Sequence, residues 1–449
     1  MTTNATLSID AANVETSTQR EMNASSPRGT ARAGAMSVAD QAVISAASFL
    51  TTVIMGRYAA PEQLGIYYIA FQTIVFARQI QSRLVSAPYS VNCFRRPAEE
   101  RSSYAGSTLI HQLIISLVAA VLLIANWWGH IASAAPQPFI DAVLILIIAC
   151  PLMMLHDHLR QTMFVHRQMK LTLSLSTGML LAHALVMGVL ATTGQLTAST
   201  VIGALAATHG IACAIWYFGS SNAMEFGVKS IKSDWWRNWT FGKWALVSKL
   251  IGECSPFVVP LIVTAQLGAK ETAVFAACGG LVGTANVFVG GIGRFLNANA
   301  PRVYTDRGVW AMCSLLLRTA GMFLLVIGSM NVVLFFFAEP ILSVIYDGKY
   351  DAAANMVFVM SLMVLIASIS VVAGSGLWAV SKPRANVPAD VVTTLMIIGS
   401  VAALLPVYGV IGAAYGMVIG IAIGTAVRVA SFLFILQAMD HPTVEAVNE

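Results

Sequence analysis

The sequence predicts an all-α polytopic membrane protein, with about twelve transmembrane helices in two parallel six-helix bundles. Three observations carry this. The 449 residues are 57% hydrophobic and 10% charged, with a mean hydropathy of +0.74, where a soluble domain is about 25% charged. Apolar runs long enough to cross a hydrocarbon core of about 30 Å recur along the chain. Lysine and arginine crowd into every second loop. This composition excludes a soluble enzyme, a disordered chain and a nucleic-acid-binding protein. The net charge of +5 is too thinly spread to grip a polyanion.

The spans fall at 37–57, 64–91, 106–126, 137–157, 171–193, 198–219, 243–267, 271–297, 311–338, 352–379, 387–407 and 410–437. They are numbered 1 to 12 below. Helices are expected because lipid requires backbone groups to pair within the segment, and alternating ten-residue strands are absent. Residues 1–36 are rich in Ser, Thr, Asn and Ala without an apolar signal region, so they read as a flexible cytoplasmic tail. Residues 438–449 read as a second cytoplasmic tail.

Basic residues set the orientation. With both ends inside, the inner segments hold 19 Lys and Arg, the outer loops only Arg57, Lys270 and Lys349, and the spans Arg78, Arg83, Lys249 and Arg428. That asymmetry places both termini in the cytoplasm and requires an even number of spans. The connection 220–242 mixes Lys229, Lys232, Arg237, Trp235, Trp236 and Trp239. It predicts an amphipathic helix on the inner leaflet that also links an N-terminal bundle (37–219) to a C-terminal one (243–437).

The two bundles read as repeats. The segment "AAPEQLGIYYIA" before span 2 parallels "LGAKETAVFAAC" before span 8, and "SRLVSAPYS" parallels "GRFLNANAPRVY". Arg83 then corresponds to Arg294, and "FVHRQMK" after span 4 to "AVSKPRA" after span 10. Six spans separate each pair, so the repeat is parallel, as in transporters whose halves rock about a site between them.

Charges within spans are costly and mark functional candidates. Arg78 and Arg83, with Gln79, Gln81 and Ser82 between them, read as a cationic wall for an anionic group such as a diphosphate. Snorkelling to the headgroups is the structural alternative for Arg83. Lys249 and Glu253 stand at i, i+4 in span 7, before Pro256. They read either as a gated charge pair coupling transport to protons or as a neutralised packing pair. Arg294, Arg318 and Arg428 lie near inner span ends, where snorkelling suffices. Asp40 and Asp390 are expected to open spans 1 and 11, where acids favour the helix dipole. In "HDHLRQTMFVHRQMK", Asp157 and Arg160 are expected to pair at i, i+3 in a structural or gating role. Metal ligation by His156, Asp157, His158 and His166 is the lesser reading. The six cysteines form no CxxC and read as packing residues. The sequence holds no Walker A, GxSxG or strand-to-helix GxGxxG motif, so no enzyme activity is expected.

"RYAAPEQLGIYYIA", "HDHLRQTMFVHRQMK", "FGKWALVSK", "SVIYDGKYDAAA" and "LLPVYGVIGAAYGMVI", in this order and spacing, resemble the multidrug/oligosaccharidyl-lipid/polysaccharide (MOP) flippase superfamily. Within it the chain is similar to the bacterial polysaccharide-exporter branch, which includes the O-antigen flippases. The resemblance covers Val38 to Leu436. It implies a V-shaped transporter of the inner membrane that flips an undecaprenyl-diphosphate-linked oligosaccharide for exopolysaccharide, capsule or O-antigen assembly. No cofactor is implied beyond H+ or Na+ coupling; a polysaccharide polymerase and chain-length machinery are the implied protein partners, with membrane lipids around. Arg78, Arg83, Lys249 and Arg294 match by position the basic residues that line the family's cavity. The lipid II flippase branch commonly carries two further spans.

Three other readings compete. A multidrug antiporter of the same superfamily should carry cavity carboxylates, whereas Arg and Lys outnumber Asp and Glu at mid-depth here. A membrane polymerase or ligase needs a large outer loop, and none exceeds about fifteen residues. A major-facilitator carrier should show a Gly-Asp-rich basic loop after span 2, where "VNCFRRPAEERSS" stands.

Overall fold

A computed structural model describes residues 27–219 and 228–440. Ten of its helices are long and apolar enough to cross a bilayer. One of these, Ala269–Tyr346, breaks its helical backbone at Gly308 (φ 81°) and so supplies both span 8 and span 9. Span 2 is the polar exception. It runs as Pro61–Gln81, continues through a π-helical turn at Ser82–Ser86, and ends in Ala87–Asn92. The described chain is thus an all-helical, multi-pass membrane protein with twelve crossings.

The remaining spans are Pro27–Tyr58, Ala98–Ala132, Gln137–Val165, Met169–Thr192, Ala198–Gly219, Val228–Leu267, Ala354–Ala379, Asn386–Tyr408 and Val410–Asp440. The first begins ten residues before the expected end of the tail, and the last runs three beyond its expected end. Residues 1–26 and 441–449 of the two tails lie outside the described residues. The face of the membrane that carries Pro27 and Asp440 is called the termini side below, and its opposite the far side.

The repeat is written in the turns. Ala134, Arg167 and Gly194 adopt positive φ after spans 3, 4 and 5; Asp347, Ser381 and Gly409 do so after spans 9, 10 and 11, at separations of 213, 214 and 215 residues. The hydrogen bonds match as well. His166, Arg167 and Gln168 donate backbone N–H groups to Thr162, Phe164 and Met163, just as Val380, Ser381 and Lys382 donate to Gly376, Trp378 and Leu377. Left-handed residues close helix C-termini by returning donors to orphan carbonyls. Glycine would do this at less cost than Ala134, Arg167, Asp347 or Ser381, so residue type alone concealed four of the six turns.

The connecting helix differs from the expectation. Residues 220–227 lie outside the described residues, but from Val228 the chain is one helix with span 7. One face packs on protein as well as leaving a face for lipid headgroups. Buried Asp234 pairs with Arg96. Buried Asn238 accepts a hydrogen bond from Tyr104 at 2.8 Å, and Trp235 meets the edge of His111. Trp236 and Trp244 on the other face are 58% and 73% exposed. A stretch read as amphipathic against lipid therefore has its polar face matched to span 3.

The two halves meet at the far side. Arg57 donates to the Val344 carbonyl at 2.8 Å and faces Asp347 at 3.5 Å, and Lys349 donates to the Ala59 carbonyl at 3.0 Å. Gly56 lies under the Tyr346 ring, where a Cβ would stand 2.6 Å from ring carbons. Gly65 packs on the Ala269 carbonyl too closely for any side chain.

Candidate functional site

A polar cavity of about 560 Å³ lies between the halves, lined from the first half by Gln41, Arg78, Gln79, Gln81, Asp157, Arg160 and Gln161 and from the second by Arg294, with Val75, Ser82 and Ser86. Span 2 supplies most of this wall because Val75, Arg78, Gln79 and Ser82 fall on one helical face. Three arginines and one carboxylate line it among four glutamines, and a second carboxylate, Asp40, stands behind Arg160, so one positive charge is in excess.

The arginines are held differently. Arg78 forks onto Asp157, donating from Nη2 to Oδ1 at 2.7 Å and from Nε to Oδ2. Arg160 lies 3.7 Å from Asp40, whose carboxylate also accepts a hydrogen bond from Ser176 at 2.5 Å. The expected Asp157–Arg160 pair is therefore not formed. A planar guanidinium from a neighbouring helix offers Asp157 two parallel hydrogen bonds, which an i, i+3 side chain on its own helix does not. Arg294 forms no ion pair among the described residues and is exposed to the cavity. Its guanidinium remains available to a ligand.

Two further expectations are corrected by burial. Asp40 does not open span 1: the helix begins at Pro27, and Asp40 is buried thirteen residues inside it, beyond the reach of the helix-end dipole. Arg428 does not snorkel. It pairs with Asp390 and donates to Ser370 Oγ at 2.9 Å, tying spans 10, 11 and 12 together.

Arg83 falls within the π-helical turn and does not line the polar cavity; its Nε is buried without a hydrogen-bond partner among the described residues. The Arg83 carbonyl abuts Gly242 of the span 7 helix, where a Cβ would overlap it. Five helical residues turn the chain by about 140°, so Arg83 stands off the Arg78 face, and the π turn sets its backbone against span 7. Its repeat counterpart Arg294 has no such turn and reaches the cavity. Lys249 and Glu253 form the expected i, i+4 ion pair at 2.5 Å, but neither lines the polar cavity.

Two more cavities adjoin. Behind Arg78, inside the first half, a narrow cavity of about 80 Å³ is lined by Asp157, Arg160, His156, His183 and His209. His156 and His183 each keep a buried Nδ1 without a partner there. His183 Nε2 stands 3.0 Å from the Thr51 hydroxyl oxygen, and His156 meets His209 ring to edge at 4.9 Å. His158 and His166 face Ser86 and Tyr89 instead, so the histidines of span 4 do not converge. Among the described residues no three His, Cys, Asp or Glu are grouped to hold a metal ion. The third cavity, of about 520 Å³, lies further toward the far side between spans 1, 2 and 8 and shares Gln41 with the polar cavity.

Sequence reasoning found Arg78, Gln79, Gln81 and Arg294 but passed over Asp40 as a partner, His183, His209, Gln41 and Gln161. The missed signal was available: uncharged amides inside apolar spans are expensive and usually face a cavity or another helix.

No family model matches the chain, and no curated protein matches it by sequence. Solved structures do. An inward-facing multidrug resistance MATE family transporter of the MOP superfamily superposes with a TM-score of 0.77 at 12% identity, covering 89% of this chain and 96% of that one. The lipid II flippase MurJ in an inward closed conformation gives 0.70 at 14% identity, covering 90% and 87%. A MOP superfamily transporter from Pyrococcus furiosus, described as having a binding pocket of reverse polarity, gives 0.65 at 13%, covering 92% and 96%. An outward-facing MATE transporter gives 0.62. The fold is that of the MOP superfamily transporters.

Proposed function

We propose that the protein is a flippase that carries a lipid-linked oligosaccharide, borne on undecaprenyl diphosphate, across the bacterial inner membrane for exopolysaccharide, capsule or O-antigen assembly. The observation that carries this is the polar cavity between the halves. Its Arg78, Arg160 and Arg294 outnumber Asp157, so the compartment attracts an anion. The termini side is then the cytoplasm, in keeping with the basic loops. The diphosphate meets Arg294 and the outer edge of the Arg78–Asp157 pair while the prenyl chain stays in lipid. Rocking of the halves opens the far side once Arg57, Lys349 and their partners part.

Arg83 and Lys249 stand outside this cavity and serve, in this reading, the movement of spans 2 and 7 against each other. Glu253 is the candidate for H+ or Na+ coupling, with Lys249 as the partner it would exchange. Asp157 and Arg160 act as gating residues because each anchors one side of the cavity to a different span. A polysaccharide polymerase would consume the flipped unit.

The likeness to multidrug transporters supports a second reading, export of organic cations. That chemistry requires an excess of cavity carboxylate, and the balance here is the reverse. Deleting the protein in its host and quantifying polymer and lipid-linked oligosaccharide by mass spectrometry separates the two. Lost polymer with accumulated, fully built lipid-linked units is the expected result. Unchanged pools with altered sensitivity to cationic dyes would replace the flippase with the antiporter.

A further inference from the structure

The third cavity differs chemically from the arginine compartment it adjoins. Its lining includes no charged residue. Tyr67, Tyr68 and Phe71 present aromatic surface from span 2, Tyr67 and Phe71 being stacked with ring centres 5.8 Å apart. Gln41, Gln72 and Thr284 present amides and a hydroxyl. Gln72 donates to the Tyr68 hydroxyl at 2.8 Å, which fixes the amide and leaves its carbonyl oxygen to accept. On the opposite wall Gly279 and Gly283 of span 8 open directly onto space, since a Cβ at either would meet no atom within 4 Å. Two successive turns of span 8 thus bring backbone rather than side chain to the cavity.

An uncharged compartment with aromatic faces and fixed amides suits a ligand with apolar C–H faces and many hydroxyls. Neutral sugar rings have both. An organic cation would find the rings but no counter-charge, and an acidic sugar would lose its hydration for no partner. A volume of about 520 Å³ lies within the range of about 300–1,000 Å³ typical of small-ligand pockets. It accepts the first rings of a repeat unit rather than a long glycan. Depth along the spans gives the order: Arg78 and Arg294 lie toward the termini side, Tyr68 and Gly283 toward the far side. We infer that this cavity is a saccharide subsite that takes the uncharged, diphosphate-proximal sugars of the substrate, which enters sugar first toward the far side. The inference rests on the flippase reading and adds to it a restriction on the glycan.

The test uses the purified full chain in nanodiscs and two probes: farnesyl diphosphate, and farnesyl diphosphate glycosylated with an uncharged disaccharide. The glycosylated probe should bind at least tenfold more tightly to the wild type. Gly283→Leu fills the open space and Phe71→Ala removes a stacking face. Each should abolish that increment and leave farnesyl diphosphate binding within twofold. Gly188→Ala, in span 5, whose new Cβ meets no atom within 4 Å and which lines none of these cavities, serves as a folded control that keeps the increment; thermal unfolding verifies that all variants fold. An increment that survives Gly283→Leu and Phe71→Ala, or is absent from the wild type while farnesyl diphosphate binding still depends on Arg294, overturns the subsite and leaves the flippase reading standing. Failure of both probes to bind overturns both.

Discussion

Replacing Arg294 by Gln removes the one cavity arginine that forms no ion pair among the described residues, and replacing Asp157 by Asn removes the only cavity carboxylate. The two changes move charge in opposite directions. Arg294→Gln removes the one positive charge left in excess after Arg78 pairs with Asp157 and Arg160 with Asp40. A hydrogen bond to a charged partner contributes about 1.5–3 kcal/mol, so the affinity for farnesyl diphosphate should fall about 10- to 150-fold. Stability should stay within about 0.5 kcal/mol, because the side chain is exposed and anchors nothing. Asp157→Asn leaves Arg78 without its bidentate partner. Breaking a buried pair costs about 3–5 kcal/mol, and with side chains 24% and 20% exposed water relieves part of this, so about 3 kcal/mol is the upper expectation. Binding, however, should hold or tighten, since the excess rises to two.

Thermal unfolding and probe titration of both variants in the same nanodiscs read the two effects separately. Arg294→Gln should lose binding and keep its melting temperature; Asp157→Asn should do the reverse. Binding by Arg294→Gln within twofold of the wild type, or a loss in Asp157→Asn as large as that in Arg294→Gln, would refute the electrostatic account of the cavity.

Other outcomes follow from single contacts. Gly242→Ala should destabilise by about 1–3 kcal/mol, since its Cβ would overlap the Arg83 carbonyl and an overpacked contact must shift backbone; chemical denaturation of the purified protein measures it. Glu253→Gln, which removes the partner of Lys249, should abolish the proton or sodium dependence of export while farnesyl diphosphate binding persists; transport across an imposed ion gradient reads this. His166, in the turn after span 4, has its pKa lowered by burial and then by the nearby Arg101 charge. The folded protein therefore binds fewer protons there than the unfolded chain, so this contribution is present above about pH 6.5 and is lost as the pH falls below it. His166→Gln should flatten that part of the stability profile between about pH 6.5 and 5, followed by thermal melts.

Much of the fold was legible because lipid simplifies the code. Hydropathy located the spans and the loop arginines ordered them, since each is a whole-segment free energy. The repeat was legible only as weak strings. Its firm signature, the paired left-handed turns at Ala134 and Asp347 or Arg167 and Ser381, is a backbone property that these residue types do not announce. The site was half legible for the same reason. A charge in a span declares itself by its cost, which exposed Arg78 and Arg294. Its partner does not, because partnership depends on which helices touch: Asp157 chose Arg78 across spans rather than Arg160 one turn away. Arg83 stands five residues, about 140° of helix, from Arg78, and the π turn that sets its backbone against span 7 leaves no mark on hydropathy.

The distribution of arginines between the halves has a consequence for direction under the proposed function. Arg78 and Arg160 belong to the first half and Arg294 to the second, so only one arrangement of the halves offers all three to one diphosphate. A ligand shifts a conformational equilibrium only by its difference in affinity between states. Bound diphosphate should therefore stabilise the arrangement that keeps the arginines together, by about 2.7 kcal/mol at a hundredfold excess over its dissociation constant if the other state does not bind. Release then requires Arg294 to separate from Arg78, which rocking supplies. Spin labels on span 2 and span 8 at the termini side should show one distance sharpening with farnesyl diphosphate, measured by double electron–electron resonance. In Arg294→Gln, residual binding to the first half alone should leave the distance distribution unshifted even at saturation. A shift of wild-type size in that variant would mean that the first half alone senses the diphosphate, and the division of the arginines would have no part in setting direction.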